Sequence, residues 1–173
     1  MITSNYRMMA GRLSFTLLIS VLLAACAARS PAPVEEREVE QRVRTPARQD
    51  SEGVQVRPLK NAAALQLADE AKRAEYAGDF DQAAVLLERA LRIQPRDPEL
   101  MQHMAEVQLQ KKEYEQALNF AVRSYDIGPR VGEICARNWR TISVAREYLD
   151  DPAGAREAEQ RAGQCMNTRP AGL

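Results

Sequence analysis

The stretch that decides the fold runs from residue 78 to residue 95 and reads GDFDQAAVLLERALRIQP. It is matched 34 residues later by KEYEQALNFAVRSYDIGP, residues 112–129. Small side chains let two helices approach closely, and a proline cannot continue a helix. Their return at a fixed period of 34 residues indicates an internal repeat. The positions that correspond are Ala71 and Ala105, Phe80 and Tyr114, Ala83 and Ala117, Ala90 and Ser124, and Pro95 and Pro129.

This pattern resembles the tetratricopeptide-repeat family. Members of that family pair two helices, with small residues where the helices cross, an aromatic residue at the start of the second helix and a proline after it. The resemblance implies an all-α fold, in which about three helical hairpins form a short right-handed solenoid. Three units are about the minimum that can bury a continuous core.

The third unit departs from the pattern and requires four extra residues, 132–135. Trp139 then falls where the family often has a tryptophan, but Pro152 and Asn167 replace the aromatic residue and the closing proline. Pro152 is acceptable in the first turn of a helix, with Asp150 or Asp151 as its cap. The predicted units are 64–97, 98–131 and 136–169, within a repeat domain at 61–169 and before a tail at 170–173.

The first 25 residues have the layout of a bacterial lipoprotein signal peptide. Arg7 and Arg12 precede an apolar run that ends in small residues just before Cys26. That run is shorter than the roughly 20 residues that a membrane span needs. We therefore predict that the chain is cleaved before Cys26 and that its thiol carries the lipid. The alternative is an ordinary cleaved signal, or a short anchor, with a cysteine there by chance.

The segment after Cys26, residues 26–60, differs in composition from the repeats. Prolines alternate with charged residues and large apolar residues are few, so this segment cannot bury enough surface to offset its ordering entropy. We predict a disordered tether, within which a short helix across Val34 to Arg44 is possible. Fully extended, it would reach about 115 Å. Such a tether can present the folded domain well away from its membrane; the alternative is a spacer that only clears the lipid surface.

Two cysteines, Cys135 and Cys165, remain once Cys26 is assigned to the lipid. An even pair in an exported protein predicts a disulfide. In the repeat, Cys135 is expected just before the first helix of unit three and Cys165 near the end of its second helix, and these ends are neighbours. The alternative is a pair of buried, unpaired thiols.

Composition and motifs argue against catalysis and against nucleic acid. Lys and Arg number 24 and so do Asp and Glu, whereas nucleic-acid-binding domains usually carry a basic excess. His103, the single histidine, has no metal-ligand spacing beside it, and we interpret it as a surface or packing residue. No phosphate-binding glycine loop or nucleophile motif occurs. We expect no enzyme, no cofactor, no metal site and a monomer.

The concave surface of stacked repeats, lined by the first helix of each unit, is where a protein partner is expected. Tyr76 and Tyr148 are predicted anchors and Arg140 a predicted carboxylate contact; the alternative is that these are ordinary exposed residues. The set needed to clamp a peptide's C-terminal carboxylate is absent. The predicted partner-binding residues are Lys72, Tyr76, Gln102, Glu106, Leu109, Gln110, Arg137, Arg140, Val144 and Tyr148, beside Ala68.

The order of signal, tether and repeats is similar to that of lipoprotein activators of bifunctional penicillin-binding proteins, in particular the tetratricopeptide type of pseudomonads. That resemblance implies an outer-membrane lipoprotein facing the periplasm, which binds and activates a class A penicillin-binding protein. Ala27 after Cys26 fits outer-membrane sorting. The alternative is a pilotin-like assembly lipoprotein for a type IV pilus or secretion secretin, although such chains carry more repeats and usually a shorter tether.

Overall fold

The computed structural model describes residues 36–49 and 60–165, and every regular element in these ranges is helical. The first range holds helices α1 (Glu36–Val39) and α2 (Thr45–Gln49) on either side of a π-helical turn, Glu40–Arg44. The second range holds α3 (Ala62–Tyr76), α4 (Phe80–Ile93), α5 (Pro98–Gln110), α6 (Tyr114–Ile127), α7 (Glu133–Tyr148) and α8 (Pro152–Gln164). The predicted signal peptide, Cys26 and the tail lie outside the described residues.

Helices α3 to α8 pair in sequence as α3 with α4, α5 with α6, and α7 with α8. Local sequence fixes where four of them begin. The side chains of Asn61, Asp79, Asp97 and Asp151 each accept a hydrogen bond from backbone N–H groups in the following first turn, which satisfies donors that the helix leaves free. Of the two caps proposed for Pro152, Asp151 is the one used.

Small residues occupy the helix crossings, as the 34-residue period predicts. Ala71, Ala83 and Ala90 in the first pair are fully buried, and so are their counterparts Ala105, Ala117 and Ser124. Phe80 and Tyr114 are the first residues of α4 and α6. The Ser124 hydroxyl donates to the Pro98 carbonyl at 2.7 Å, so the one polar replacement is satisfied inside the core. The predicted all-α repeat fold is confirmed.

The third pair begins earlier than predicted. Helix α7 starts at Glu133, inside the four residues interpreted as an insertion, so Cys135 lies in its first turn and not before it. Gly132, at φ 83°, makes the turn that a residue with a side chain rarely adopts, and its N–H donates to the Cys165 carbonyl at 2.9 Å. Cys135 and Cys165 form a disulfide with Cα atoms 5.7 Å apart. It joins the start of α7 to the end of α8.

Residues 36–49, here called the docked segment, lie within the predicted tether yet pack on the repeats. The helix that the sequence allowed across Val34 to Arg44 is present from Glu36 and continues to Gln49. The docked segment contacts α5 and α7. The rest of the predicted tether, 26–35 and 50–59, falls outside the described residues. The docked segment therefore belongs to the folded domain.

Candidate functional site

The candidate site is the groove, meaning the face that the first helices of the three pairs, α3, α5 and α7, present together. The repeat period places the predicted partner-binding residues on these helices, but the docked segment covers much of the face. Lys72 and Tyr76 are exposed, and Tyr76 is 68% exposed. Partly buried are Ala68, Arg137, Arg140 and Tyr148. Buried are Gln102, Glu106, Leu109, Gln110 and Val144.

The docked segment meets the groove with an apolar row. Val39, Val43 and Ala47 recur every four residues, and each is at most 1% exposed. The two valines pack in one cluster with Leu109 and Val144 of the groove. An apolar stripe on one face of a helix, laid along complementary apolar residues, is the usual way that a groove binds a helical peptide.

An arginine of the docked segment carries the polar part of the contact. The Arg44 Nε donates to a Glu106 oxygen at 2.7 Å, and its Nη2 donates to both oxygens of Glu75 at 3.2 Å. Arg137 of α7 binds the same Glu106 through Nε at 2.8 Å and Nη2 at 2.7 Å. Gln102 donates to it at 3.0 Å. One carboxylate thus joins two cations from different parts of the chain.

The charge of Glu106 is held firmly in this cluster although the side chain is fully buried. Burial by itself would raise the pKa of Glu106, but the positive charges of Arg137 and Arg44 outweigh it and lower the pKa to about 2. Burial would likewise lower the pKa of Arg44, and the charges of Glu106 and Glu75 raise it above its ordinary value. Both groups therefore stay ionised throughout the physiological range.

A second polar contact fixes the other end of the docked segment on α7. Arg42 bonds to Glu38 at 2.7 Å within the segment and also to Glu147 of α7. The Tyr148 hydroxyl donates to Glu38 at 3.0 Å. Burial and this hydrogen bond to a carboxylate raise the pKa of Tyr148 to about 12. The predicted anchor Tyr148, which also stacks on Tyr114 at 4.7 Å between ring centroids, contacts a residue of its own chain.

Two residues that define this site, Glu75 and Arg44, are not among the residues predicted from the sequence. Glu75 is 1% exposed, and one of its oxygens lies 3.2 Å from Nε2 of His103. Composition places Arg44 in the tether. The predicted carboxylate contact Arg140 meets Glu159 of α8 at 2.7 Å. Arg44 lies in a segment that also carries acidic residues, so nothing in the sequence of the tether marks this arginine as the partner of Glu75 and Glu106.

A pocket of about 280 Å³ remains beside the docked segment, at the α3 end of the groove. Lys72 and Tyr76 line it together with Arg44, Arg48 and His103. It is bordered by charges of both signs, since Glu40, Glu75, Glu99 and Glu133 also reach it. This is the part of the groove where predicted partner-binding residues stay accessible.

The groove described above offers contacts that suit the binding of a protein segment. In those ranges no group of three or more His, Cys, Asp or Glu side chains is placed to hold a metal ion. The same ranges contain no helix that is both long and apolar enough to cross a bilayer. The site offers ion pairs, a tyrosine and a helix-binding surface.

Comparison with known proteins agrees with this architecture. The profile of the family described as Tetratricopeptide repeat matches residues 74–123. The globular C-terminal domain of LpoP from P. aeruginosa is 34% identical, with a TM-score of 0.57, over 61% of this chain and 99% of that domain. The chain belongs to the tetratricopeptide-repeat family. The comparison with curated proteins gives no match.

Two more distant tetratricopeptide-repeat structures share the fold. The Sgt2 TPR domain from Aspergillus fumigatus is 21% identical with a TM-score of 0.58, over 66% of this chain and 74% of that one. The N-terminal domain of stress-induced protein-1 (STI-1) from C. elegans is 18% identical with a TM-score of 0.56, over 64% and 91%. At these identities the likeness concerns the fold alone, whereas the LpoP domain is a relative in sequence as well.

Proposed function

We propose that the protein is a non-catalytic outer-membrane lipoprotein whose repeat domain binds and activates a periplasmic class A penicillin-binding protein. Cys26 carries the lipid, and the tether places the repeats within reach of the synthase. The observation that carries the proposal is the 34% identity to the LpoP domain across 99% of its length. No feature of the described residues favours the pilotin-like alternative.

The chemistry of the chain supports this proposal independently. The bond between Cys135 and Cys165 is of a kind that persists in oxidising compartments such as the periplasm. Tetratricopeptide repeats offer a concave surface to protein partners, and here Tyr76 and Lys72 remain open on that surface. Tyrosine is enriched among the residues that contribute most of the binding energy at protein interfaces.

The decisive experiment measures glycan polymerisation by a purified bifunctional penicillin-binding protein with and without the protein. We expect the chain to bind the synthase and to increase its polymerisation rate. Tyr76→Ala should weaken both effects because it removes the accessible anchor. Val85→Ala is the matched control, since Val85 is 49% exposed on α4 and lies outside the groove pocket. Absence of both binding and rate change in the parent protein would exclude the proposed function.

A second experiment tests the anchor and its reach in cells whose growth depends on the activator. Deleting residues 28–35, which keeps Ala27 beside Cys26, should abolish complementation if the domain must reach a distant synthase, because about 27 Å of contour is lost. Replacing the same eight residues by an equally long Gly/Ser sequence should preserve complementation. Equal growth of the deleted and replaced strains would contradict the reach requirement. If the protein still binds the synthase in vitro, only the reach part of the proposal fails and the binding part stands.

A further inference from the structure

The docked segment has the properties of a bound peptide ligand. Its apolar row, Val39, Val43 and Ala47, is buried against the groove, whereas Gln41 on the same segment is exposed. The row contains only two valines and an alanine. An isolated helix of 14 residues is marginal in water, so the helical state of this segment depends on the groove.

The polar contacts give this ligand a defined position. Arg44 reaches acidic residues of two repeats, Glu75 on α3 and Glu106 on α5, and Arg42 reaches Glu147 on α7. Each of these ion pairs joins a basic residue of the segment to an acidic residue of the groove, and Tyr148 of α7 adds a hydrogen bond to Glu38 of the segment. The groove therefore recognises a short amphipathic helix with aliphatic residues four apart and an arginine that follows the second of them.

We propose that residues 36–49 are a releasable ligand of the groove, bound in cis, and that their release frees the groove for a partner helix of the same chemistry and lengthens the tether. While the segment is docked, only residues 26–35 separate the lipid from the domain, a contour of about 35 Å. After release the free chain runs from residue 26 to residue 60 and spans about 115 Å. The change in reach rests on the proposed function, because it requires an anchor at Cys26.

Docking is tested by amide hydrogen exchange on the full mature chain in detergent. Val43→Asp places a charge in the buried row, and Gln41→Asp places the same charge on the exposed face of the same segment. We expect residues 36–49 to exchange at least about tenfold faster in the Val43→Asp chain than in the Gln41→Asp chain, with α5 and α6 protected in both. Unchanged exchange in the Val43→Asp chain would overturn the proposal, and so would loss of protection across the repeats.

The parent chain provides a second test, which does not depend on whether a variant folds. A releasable segment opens without the repeats, so its amides should exchange at least about tenfold faster than those of α5. Exchange of the segment as slow as that of α5 would mean that it is an integral part of the core, which overturns the proposal.

The ligand chemistry is tested with a synthetic peptide of residues 36–49. The peptide should bind the Val43→Asp chain, whose groove is open, at least about tenfold more tightly than the Gln41→Asp chain, whose groove is filled. The same peptide with Arg44→Glu should bind neither chain. Equal affinity of the parent peptide for both chains would contradict a single groove that the two compete for.

The change in reach is measured by energy transfer from Trp139, the only tryptophan of the chain, to an acceptor lipid in vesicles that carry the lipidated protein. Transfer should be weaker for the Val43→Asp chain than for the Gln41→Asp chain, and equal transfer would refute the change in reach. A chain that does not associate with vesicles would instead refute the anchor, and the reach with it, while the exchange and peptide results would still decide whether the groove holds a ligand in cis.

Discussion

Replacing Glu106 by glutamine tests the central claim about the groove, that one buried carboxylate holds two arginines. Glu106→Gln keeps the shape of the side chain but removes its charge. It also puts an NH₂ donor where one oxygen now accepts from an arginine. Removing one partner of a buried ion pair leaves an uncompensated charge and costs about 3–5 kcal/mol.

The structure narrows this range. The side chain of Glu106 is fully buried, but Arg44 is 13% exposed and Arg137 is 18% exposed. Water can therefore reach both cations after the substitution, which places the loss in the free energy of unfolding near the lower limit, at about 3 kcal/mol. With a urea m-value of about 1.5 kcal/mol/M, the unfolding midpoint should fall by about 2 M.

The assay is urea unfolding followed by far-ultraviolet circular dichroism, with the disulfide intact. Glu157→Gln is the matched control, because Glu157 is bonded to Arg161 at 2.7 Å and the two side chains are 57% and 47% exposed. Solvent-exposed pairs contribute at most about 1 kcal/mol. If the midpoint of the Glu106→Gln protein falls by less than about 0.5 M, or no more than that of the control, the cluster does not stabilise the domain as we argue.

Three further predictions concern stability. A β-carbon at either Gly78 or Gly163 would meet no atom within 4 Å. Gly78→Ala should lower the free energy of unfolding by about 1–2 kcal/mol because φ is +75° there, whereas Gly163→Ala in helix α8 should raise it by about 0.5–1 kcal/mol. Equal effects of the two substitutions in thermal unfolding would contradict the backbone argument. Reducing the bond between Cys135 and Cys165, which are 30 residues apart in sequence, should cost about 3.5 kcal/mol, measured as a lower urea midpoint in dithiothreitol, with a Cys135→Ala/Cys165→Ala protein insensitive to the reductant. The pKa of Glu106 in the folded state is about 2, below its ordinary value of 4.5, so the unfolded state binds this proton more readily. The stabilisation by Glu106 is therefore complete above about pH 5 and is lost as pH falls towards 2. A Glu106→Gln protein that loses as much stability as the parent between pH 5 and pH 3 would assign the acid sensitivity to other groups.

The repeat fold could be predicted because its signal is local and periodic. Residues 64–97 and 98–131 each carry small residues at helix crossings, and the structure buries all of them. Helix α7 begins three residues before the predicted third unit for a physical reason. Four extra residues are close to one helical turn, so an insertion of that length extends α7 back to Glu133 without changing which face is buried.

The site could be predicted only in part. The 34-residue period was enough to place Gln102, Glu106 and Leu109 on the groove, but it could not show that residues of the tether cover them. Composition indicates whether a segment can fold by itself, and residues 36–49 cannot. Their burial depends on Glu75 and on Glu106, which lie 31 and 62 residues from Arg44 in sequence. A short sequence window centred on the segment contains neither of those two glutamates.

Prolines also marked the wrong limit for the helix in the tether. The sequence allowed a helix up to Arg44 because Pro46 comes two residues later. In the structure, Pro46 is the second residue of α2 and the helix continues to Gln49. Pro46 has no N–H to donate to the preceding turn and its ring crowds that turn, which here is the π-helical turn Glu40–Arg44. Pro46 therefore restricts the residues on its N-terminal side more than those on its C-terminal side.

The contacts of Arg44 also affect how the domain unfolds. In a simple repeat array each unit contacts only its neighbours, so the ends can fray independently and unfolding proceeds along one dimension. Here one segment bonds to the first repeat at Glu75, the second at Glu106 and the third at Glu147. These links span the whole array, so the unfolding of one repeat weakens the docking of the segment on the other two. The three repeats are thereby coupled into a single cooperative unit while the segment is bound, and they revert to the weaker coupling of neighbours when it leaves.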